Sequence, residues 1–236
     1  MTKNYAFVAL CLSLAILIIS GCRSTSKPAT SDILSPTPEA KSKREETPLD
    51  DADILLREGR SAWEERDIET AIGKLEEALQ AGADSAELHF LLGNAYAEKE
   101  QFAQATQHYN LALDLVPDYI DARSNLGVVY YRQGKLQEAE EVFRAALSQE
   151  PNDAEIHYNL GGVLVSSNRP DEAAQQFRKA QKLDPSLPET YLGLGSVYKQ
   201  QGKRQQAIAE LNEYIRLSQD AEWKTKAEQM LRELEE

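Results

Sequence analysis

The sequence predicts an all-α solenoid made of five helix-turn-helix repeats and a C-terminal capping helix. Three features of the 236-residue chain predict this fold: a glycine recurs at a constant spacing, an alanine follows each glycine at a fixed distance, and a large apolar residue follows one helix turn after that. A fixed period of about 34 residues is typical of repeat proteins in which each unit is a pair of helices. The five glycines are Gly59, Gly93, Gly127, Gly161 and Gly195.

Within each repeat, apolar residues follow helical spacing on two successive segments. In the second repeat they include Leu88, Leu92 and Tyr96, and then Ala105 and Tyr109. Residues three and four apart share one face of a helix, so each segment is an amphipathic helix. Glycine and alanine are small where the two helices cross, which leaves space for the large side chain. One such pair cannot bury its apolar face alone, so neighbouring repeats must stack.

The repeated motif resembles that of the tetratricopeptide repeat family. Leu-Gly-x-x-Tyr is intact at residues 92–96, 126–130 and 194–198, and three middle repeats close on Pro117, Pro151 and Pro185. Leucine-glycine, tyrosine, alanine, a large apolar residue and proline form the signature of that family. The resemblance implies a right-handed α-solenoid over residues 51–236. Its predicted units are repeats at about 52–85, 86–119, 120–153, 154–187 and 188–221, and a capping helix at 222–236.

The ends of the helices also have recognisable signals. Gly134, Asn168 and Gly202 fall between the two helices of a repeat, and both residue types tolerate a left-handed backbone. The prolines at the repeat ends stop the second helix. Side chains that accept hydrogen bonds are predicted to cap the helices that follow, namely Asp84, Asp118, Asn152 and Ser186.

Residues 1–21 are predicted to be a lipoprotein signal peptide. Lys3 precedes an apolar stretch at residues 6–19, which as a helix spans about 21 Å and is too short for a hydrocarbon core of about 30 Å. Residues 19–22 read Ile-Ser-Gly-Cys, which resembles the lipobox of bacterial lipoproteins. The resemblance implies that Cys22 is lipidated and becomes the first residue of the mature chain. The alternatives are an uncleaved anchor helix, or an ordinary signal peptide followed by an unmodified cysteine.

Residues 22–50 are predicted to be the lipidated cysteine followed by a disordered linker. The segment is rich in Ser, Thr, Pro, Lys and Glu and buries too little apolar surface to offset its chain entropy. Arg23 stands where lipoproteins retained in the inner membrane have Asp, so the resemblance implies an outer-membrane protein facing the periplasm if the source has two membranes. The predicted location is therefore the bacterial cell envelope.

Composition and motifs argue against nucleic-acid binding and catalysis. The net charge is −13, with 39 acidic and 26 basic residues, whereas phosphate binding needs clustered Lys and Arg. The sequence contains no zinc-binding cluster, phosphate-binding loop or nucleophile motif. We therefore expect no enzyme activity, no metal and no cofactor. His89 and His157 share one repeat position and are expected to be structural, although an unrecognised site there is the alternative.

By the resemblance, the first helix of each repeat lines a concave groove that binds a peptide or an amphipathic helix. The predicted groove residues are Leu56, Arg60, Trp63, Phe90, Asn94, Val128, Tyr131, Tyr158 and Leu192, with Ser124, Val165 and Ser196 at equivalent positions. Some members grip a carboxylate with Lys and Asn, but Leu56, Arg60 and Asp121 depart from that pattern. Carboxylates are expected mainly on the convex second helices, including Glu76, Glu77, Glu138, Glu140 and Glu141.

These observations predict a membrane-anchored adaptor that binds a protein partner and supports assembly of a cell-envelope complex. The alternative is a structural envelope protein that assembles with itself through the groove or the terminal helix. Neither the partner nor the pathway follows from the sequence.

Overall fold

The computed structural model describes residues 51–236, which form eleven helices. The predicted signal peptide, Cys22 and the linker lie outside the described residues. The helices are α1 (Asp51–Glu64), α2 (Ile68–Gln80), α3 (Ala86–Glu98), α4 (Phe102–Leu115), α5 (Ile120–Arg132), α6 (Leu136–Gln149), α7 (Ala154–Ser166), α8 (Pro170–Leu183), α9 (Pro188–Gln200), α10 (Arg204–Leu217) and α11 (Ala221–Glu235). Among the described residues no strand is present, which agrees with the predicted all-α class.

The helices pack as five pairs, and consecutive pairs stack into a solenoid. Each odd-numbered helix from α1 to α9 contacts the even-numbered helix that follows it, and each even-numbered helix contacts the first helix of the next pair. The odd-numbered helices, called first helices below, also contact one another from pair to pair. This connectivity is the predicted repeat architecture, in which every unit is stabilised by its neighbours.

The repeated glycines lie where the two helices of a pair cross. A Cβ atom added to Gly127 would stand 2.8 Å from Cε1 of Phe143, and one added to Gly161 would stand 2.5 Å from the same atom of Phe177. Phe177 also lies 2.9 Å from the position of a Cβ on Gly193, in the next pair. Since real Cβ contacts are never this short, the glycines are required by packing, as the sequence predicts.

The turns inside the pairs share one backbone conformation. Gly134, Asn168 and Gly202 have φ angles of 74°, 58° and 70°, which confirms the predicted left-handed positions. The first two pairs use Arg66 and Glu100 there, with φ angles of 66° and 58°. These two side chains occupy the strained region without the steric freedom of glycine.

In the structure, the residues that cap α3 and α7 lie one position after the residues predicted from the sequence. Ser85 Oγ accepts a hydrogen bond from Leu88 N at 3.2 Å, and Asp153 Oδ1 accepts one from Ile156 N at 2.8 Å. Asp84 and Asn152, predicted from the sequence, precede these caps, and α5 and α9 have no side-chain cap. A capping oxygen must reach the N–H three residues ahead, so the helix start decides which residue caps it.

The last helix covers the end of the solenoid, as predicted. Trp223, Ala227 and Met230 of α11 are buried against Leu211 and Tyr214 of α10. At the other end α1 has no helix before it among the described residues. Burial among the first helices differs accordingly, with three buried residues in α1 and nine in α9.

Candidate functional site

A groove of about 830 Å³ runs across the first helices of the first four pairs. Its floor is apolar, because Leu91, Val128, Val129 and Ile156 lie along it. The ring of Phe90 lies 4.9 Å from that of Tyr119, and both rings also line the groove. Aromatic side chains offer a large contact area with few torsions to fix, so such a floor suits a polypeptide ligand.

The structure brings five of the nine predicted groove residues together in this groove. Arg60, Trp63, Phe90, Asn94 and Val128 all line it. Ser124 lines it as well. They lie on α1, α3 and α5, one helix turn apart within each helix.

The other four predicted groove residues are not among the residues that line this groove. Leu56 is half-buried against the core. Tyr131 donates or accepts a hydrogen bond with Ser166 at 2.9 Å and is 8% exposed. Tyr158 and Leu192 are 5% and 1% exposed. The register along one helix predicts which face a residue lies on, but not how closely the neighbouring repeats pack against it.

Two equivalent positions from the sequence analysis are also outside the groove. Val165 packs against the core, and Ser196 is buried with its hydroxyl donating to Leu192 O at 2.8 Å. The predicted series of positions therefore lines the groove only in part.

Asn94 is held within the groove floor by its neighbours. Its Oδ1 accepts a hydrogen bond from the Tyr109 hydroxyl at 2.7 Å and one from Asn125 Nδ2 at 2.8 Å. Both lone pairs of this oxygen are thereby used. With a leucine at position 56 and an aspartate at position 121, the groove does not have the cation set of a carboxylate clamp.

The groove is more acidic than its position on the first helices would suggest. Three arginines and six carboxylates line it. Each arginine already has a carboxylate partner: Arg60 pairs with Glu87, Arg66 with Glu98 at 2.6 Å, and Arg132 with Glu100 at 2.8 Å. The remaining acidic lining residues therefore give the groove its net negative charge.

The carboxylates Asp121 and Glu155 lie on the groove wall without an ion-pair partner in the described chain. Burial, and then the charge of Asp153, raise the pKa of Asp121 above its usual range. Burial and four neighbouring carboxylates, with Asp153 first among them, raise the pKa of Glu155. Burial is the larger cause of both shifts, and the neighbouring carboxylates act in the same direction.

Sequence reasoning missed these carboxylates, although a signal for them exists. Asp53, Glu87, Asp121, Glu155 and Glu189 fall at the same position of successive repeats, so every repeat has an acidic residue near the start of its first helix. We call these five residues the carboxylate ladder. The expected convex carboxylates Glu76, Glu77, Glu138 and Glu141 are exposed on α2 and α6, whereas Glu140 is half-buried between Arg144 and Arg169.

The histidines lie outside the groove and are bonded within the structure. His157 Nδ1 lies 2.9 Å from Gln176 Oε1, and its Nε2 lies 3.0 Å from Pro151 O. His89 Nδ1 lies 3.0 Å from His108 Nδ1, and its Nε2 lies 3.0 Å from Asp84 Oδ1. Buried histidines with both ring nitrogens bonded are packing elements, as expected from their shared repeat position.

Within residues 51–236, no group of three or more His, Cys, Asp or Glu side chains is arranged to hold a metal ion. No helix in the same range is both long and apolar enough to cross a membrane.

The fold and the groove define an all-α repeat protein with a polypeptide-sized binding surface. Residues 123–188 and 164–230 match two family models described as tetratricopeptide repeat, and residues 93–134 match one described as TPR repeat. Together the matches cover more than half of the sequence, and the chain belongs to the tetratricopeptide repeat family. These repeats generally serve in adaptors and scaffolds.

Solved structures with the same fold cover most of the described residues. MamA from Desulfovibrio magneticus RS-1 is 22% identical, with a TM-score of 0.66 over 73% of this chain and 99% of its own. TTC0263 from Thermus thermophilus is 21% identical, with a TM-score of 0.62 over 76% of this chain and 98% of its own. YrrB, described as a TPR protein with an unusual peptide-binding site, is 23% identical, with a TM-score of 0.61 over 76% and 92%.

At these identities the likeness shows the fold alone, and that fold is the predicted right-handed α-solenoid. No curated protein sequence matches the chain.

Proposed function

We propose that the protein is a membrane-anchored adaptor that binds a segment of a partner protein in its groove and supports assembly of a cell-envelope complex. The groove itself carries this proposal. It joins an apolar floor at Phe90, Val128 and Ile156 to a polar rim, over the length of four repeats. Such a surface suits a peptide or an amphipathic helix better than a small molecule.

Similarity supports the binding role without identifying the partner. One structural neighbour, YrrB, is described as having a peptide-binding site. The family in general supplies protein-binding surfaces, and the first helices are its usual binding face. The groove of this protein lies on its first helices, which supports the proposed role.

The proposed anchor is a lipid on Cys22, from the Ile-Ser-Gly-Cys sequence after the apolar stretch at residues 6–19. Several acyl chains, at about 0.8 kcal/mol per buried methylene, hold a protein firmly on a membrane surface. With Arg23 after the cysteine, the proposed location is the outer membrane facing the periplasm in a source with two membranes. The linker would then let the array reach partners away from the bilayer.

Site-specific photo-crosslinking in cells tests the groove. A photoreactive amino acid at Ser124 faces the groove, whereas one at Gln137 lies exposed on α6, a second helix. We expect a crosslinked partner from position 124 that is absent from position 137, and that is lost when Val128→Asp places a charge in the apolar floor. Equal crosslinking from both positions would move the binding site away from the groove. Crosslinking only to a second copy would instead favour the self-assembling structural protein.

A further inference from the structure

The carboxylate ladder continues along the whole array, and the groove covers only part of it. Glu87, Asp121 and Glu155 line the groove, and Glu189 is the last step. An acidic residue in the first turn of a helix is favoured by the helix dipole, which accounts for one carboxylate per helix. The dipole does not account for the position of Asp121, Asp153 and Glu155 along the lining of one groove.

Cations of the protein neutralise only the N-terminal part of the groove. Arg60 pairs with Glu87 on the second step of the ladder. In the described chain, no Lys or Arg forms an ion pair with Asp121, Glu155 or Glu189. The apolar floor beside Asp121 and Glu155 thus has a negative wall with no cation of the protein on it.

An independent observation at the last step also indicates a missing donor. Glu189 Oε2 is buried and has no hydrogen-bond partner in the described chain, and neither has the Tyr158 hydroxyl, whose side chain is 5% exposed. Burial, and then the charge of Glu189, raise the pKa of the Tyr158 hydroxyl. Buried polar atoms in native proteins are nearly always paired, so these two atoms mark the last step of the ladder as a second place where polar groups lack a partner in the described chain.

We propose that the occupant of the groove is a cationic polypeptide segment in which Lys or Arg residues are spaced between apolar residues. Its apolar side chains contact Phe90 and Val128, and its cations pair with Asp121 and Glu155. The inference rests on the proposed function and adds the chemistry of the partner. Charge complementarity favours this occupant. The unpaired carboxylates would repel an acidic segment, and a neutral segment would remove water from them without pairing with their charge.

The ladder also sets the spacing of the cations. Neighbouring helices pack about 8–10 Å apart, and a chain in the polyproline II conformation rises about 3.1 Å per residue with three residues per turn. A segment in that conformation would therefore present a Lys or Arg to the ladder at about every third position. This spacing distinguishes recognition by the ladder from general attraction to an acidic protein.

Fluorescence anisotropy with synthetic peptides tests the proposal on the full chain, purified in detergent. The probe is a labelled 13-residue peptide with lysine at every third position and leucine or alanine between. Its controls are the same peptide with glutamate for lysine and one of equal composition with the lysines in one block. We expect the spaced lysine peptide to bind most tightly, and its affinity to fall as NaCl rises from 50 to 300 mM.

Neutralising the ladder gives the decisive comparison. Asp121→Asn with Glu155→Gln should weaken binding of the spaced lysine peptide by about tenfold, as expected for two lost charge pairs. Glu138→Gln with Glu141→Gln removes the same charge from exposed positions on α6 and should weaken it by less than about twofold. The ladder variant should unfold at the same or a higher temperature, because it removes repulsion between neighbouring carboxylates of the groove wall. Loss of affinity without loss of stability separates binding from a structural role.

Three outcomes would overturn the proposal. These are no binding of the lysine peptides, equal weakening by both variants, and a salt-sensitive increase in molecular mass showing that a second copy fills the groove. The proposed function is tested separately. If position 124 crosslinks a partner in cells and the ladder variant crosslinks the same partner equally well, the adaptor role stands and the proposal of a cationic partner is wrong.

Discussion

At the scale of single residues, the chain contains two versions of one buried contact. His89 and His108 pair through their Nδ1 atoms at 3.0 Å, and two repeats further on His157 pairs with Gln176 at 2.9 Å. A bond between two neutral imidazoles needs one donor and one acceptor, so protonating both rings breaks it. Glutamine cannot become charged. The second version therefore contains no second titratable ring.

This difference predicts how stability depends on pH. Burial and then the charge of His89 lower the pKa of His108 from its usual 6.5, against a smaller opposite effect of Glu76. At this site the unfolded chain therefore binds a proton more readily than the folded one as pH falls through about 6.5, so the contribution of His108 to stability falls with pH. The variant His108→Gln reproduces the contact that His157 makes with Gln176. We expect its midpoint temperature of thermal unfolding to decrease less than that of wild type when the pH is lowered from 7.5 to 5.5. An identical loss in both proteins would contradict the assignment.

The left-handed turns predict opposite effects for two glycine-to-alanine changes. Gly134 has a φ angle of 74°, so Gly134→Ala should destabilise the protein by about 1 kcal/mol. Gly73 lies inside α2 with nothing within 4 Å of an added Cβ, so Gly73→Ala should stabilise by about 0.5–1 kcal/mol. Urea unfolding of both variants measures the difference. Effects of the same sign would refute the turn geometry.

Sequence patterns identify some residues of the groove and miss others for a physical reason. Phe90, Asn94 and Val128 follow from the repeat register and do line the groove. Tyr158 has the same register as Phe90 but is buried, because burial depends on how closely the next repeat approaches. The significance of Asp121 and Glu155 depends on which cations lie nearby, and only coordinates show that.

At the scale of helices, the repeat pattern predicts element type and pairing well. The glycine-to-aromatic contacts follow from a constant spacing within the repeat, which the sequence displays directly in Gly93 with Tyr109 and Gly127 with Phe143. The exact first residue of each helix was less predictable. Ser85 and Asp153, rather than Asp84 and Asn152, cap their helices, since neighbouring polar residues are equally good acceptors.

The crossing of α5 and α6 makes a prediction about overpacking. Gly127→Leu places four carbon atoms where even a Cβ would lie 2.8 Å from Phe143, so it should cost roughly 1–3 kcal/mol or more. Gly73→Leu adds the same side chain to an open site on α2 and is the matched control. Thermal unfolding should show a large decrease only for the first variant. An unchanged midpoint for Gly127→Leu would refute the crossing.

At the scale of the whole molecule, removing the proposed lipid distinguishes three interpretations of the N-terminal residues: a lipoprotein signal, an uncleaved anchor helix and an ordinary signal peptide. Cys22→Ser should abolish labelling by an alkyne-tagged fatty acid and release the protein from membrane pellets, because no acyl chain is then attached. A protein that stays in the pellet after this change would indicate an uncleaved anchor helix. Wild-type protein that is neither labelled nor sedimented would indicate an ordinary signal peptide.

The uneven burial along the solenoid has a mechanical consequence. Only three residues of α1 are buried, against nine in α9, and each repeat is held chiefly by its neighbours. Local opening should therefore begin at α1, which is the helix nearest to the proposed lipid anchor and would be the first to bear a force applied through it. The groove reaches from α1 to α7. A bound segment would contact both the least buried helix and better buried ones, and would therefore stabilise α1 against opening. The protein with a bound partner should resist force better than the protein without one.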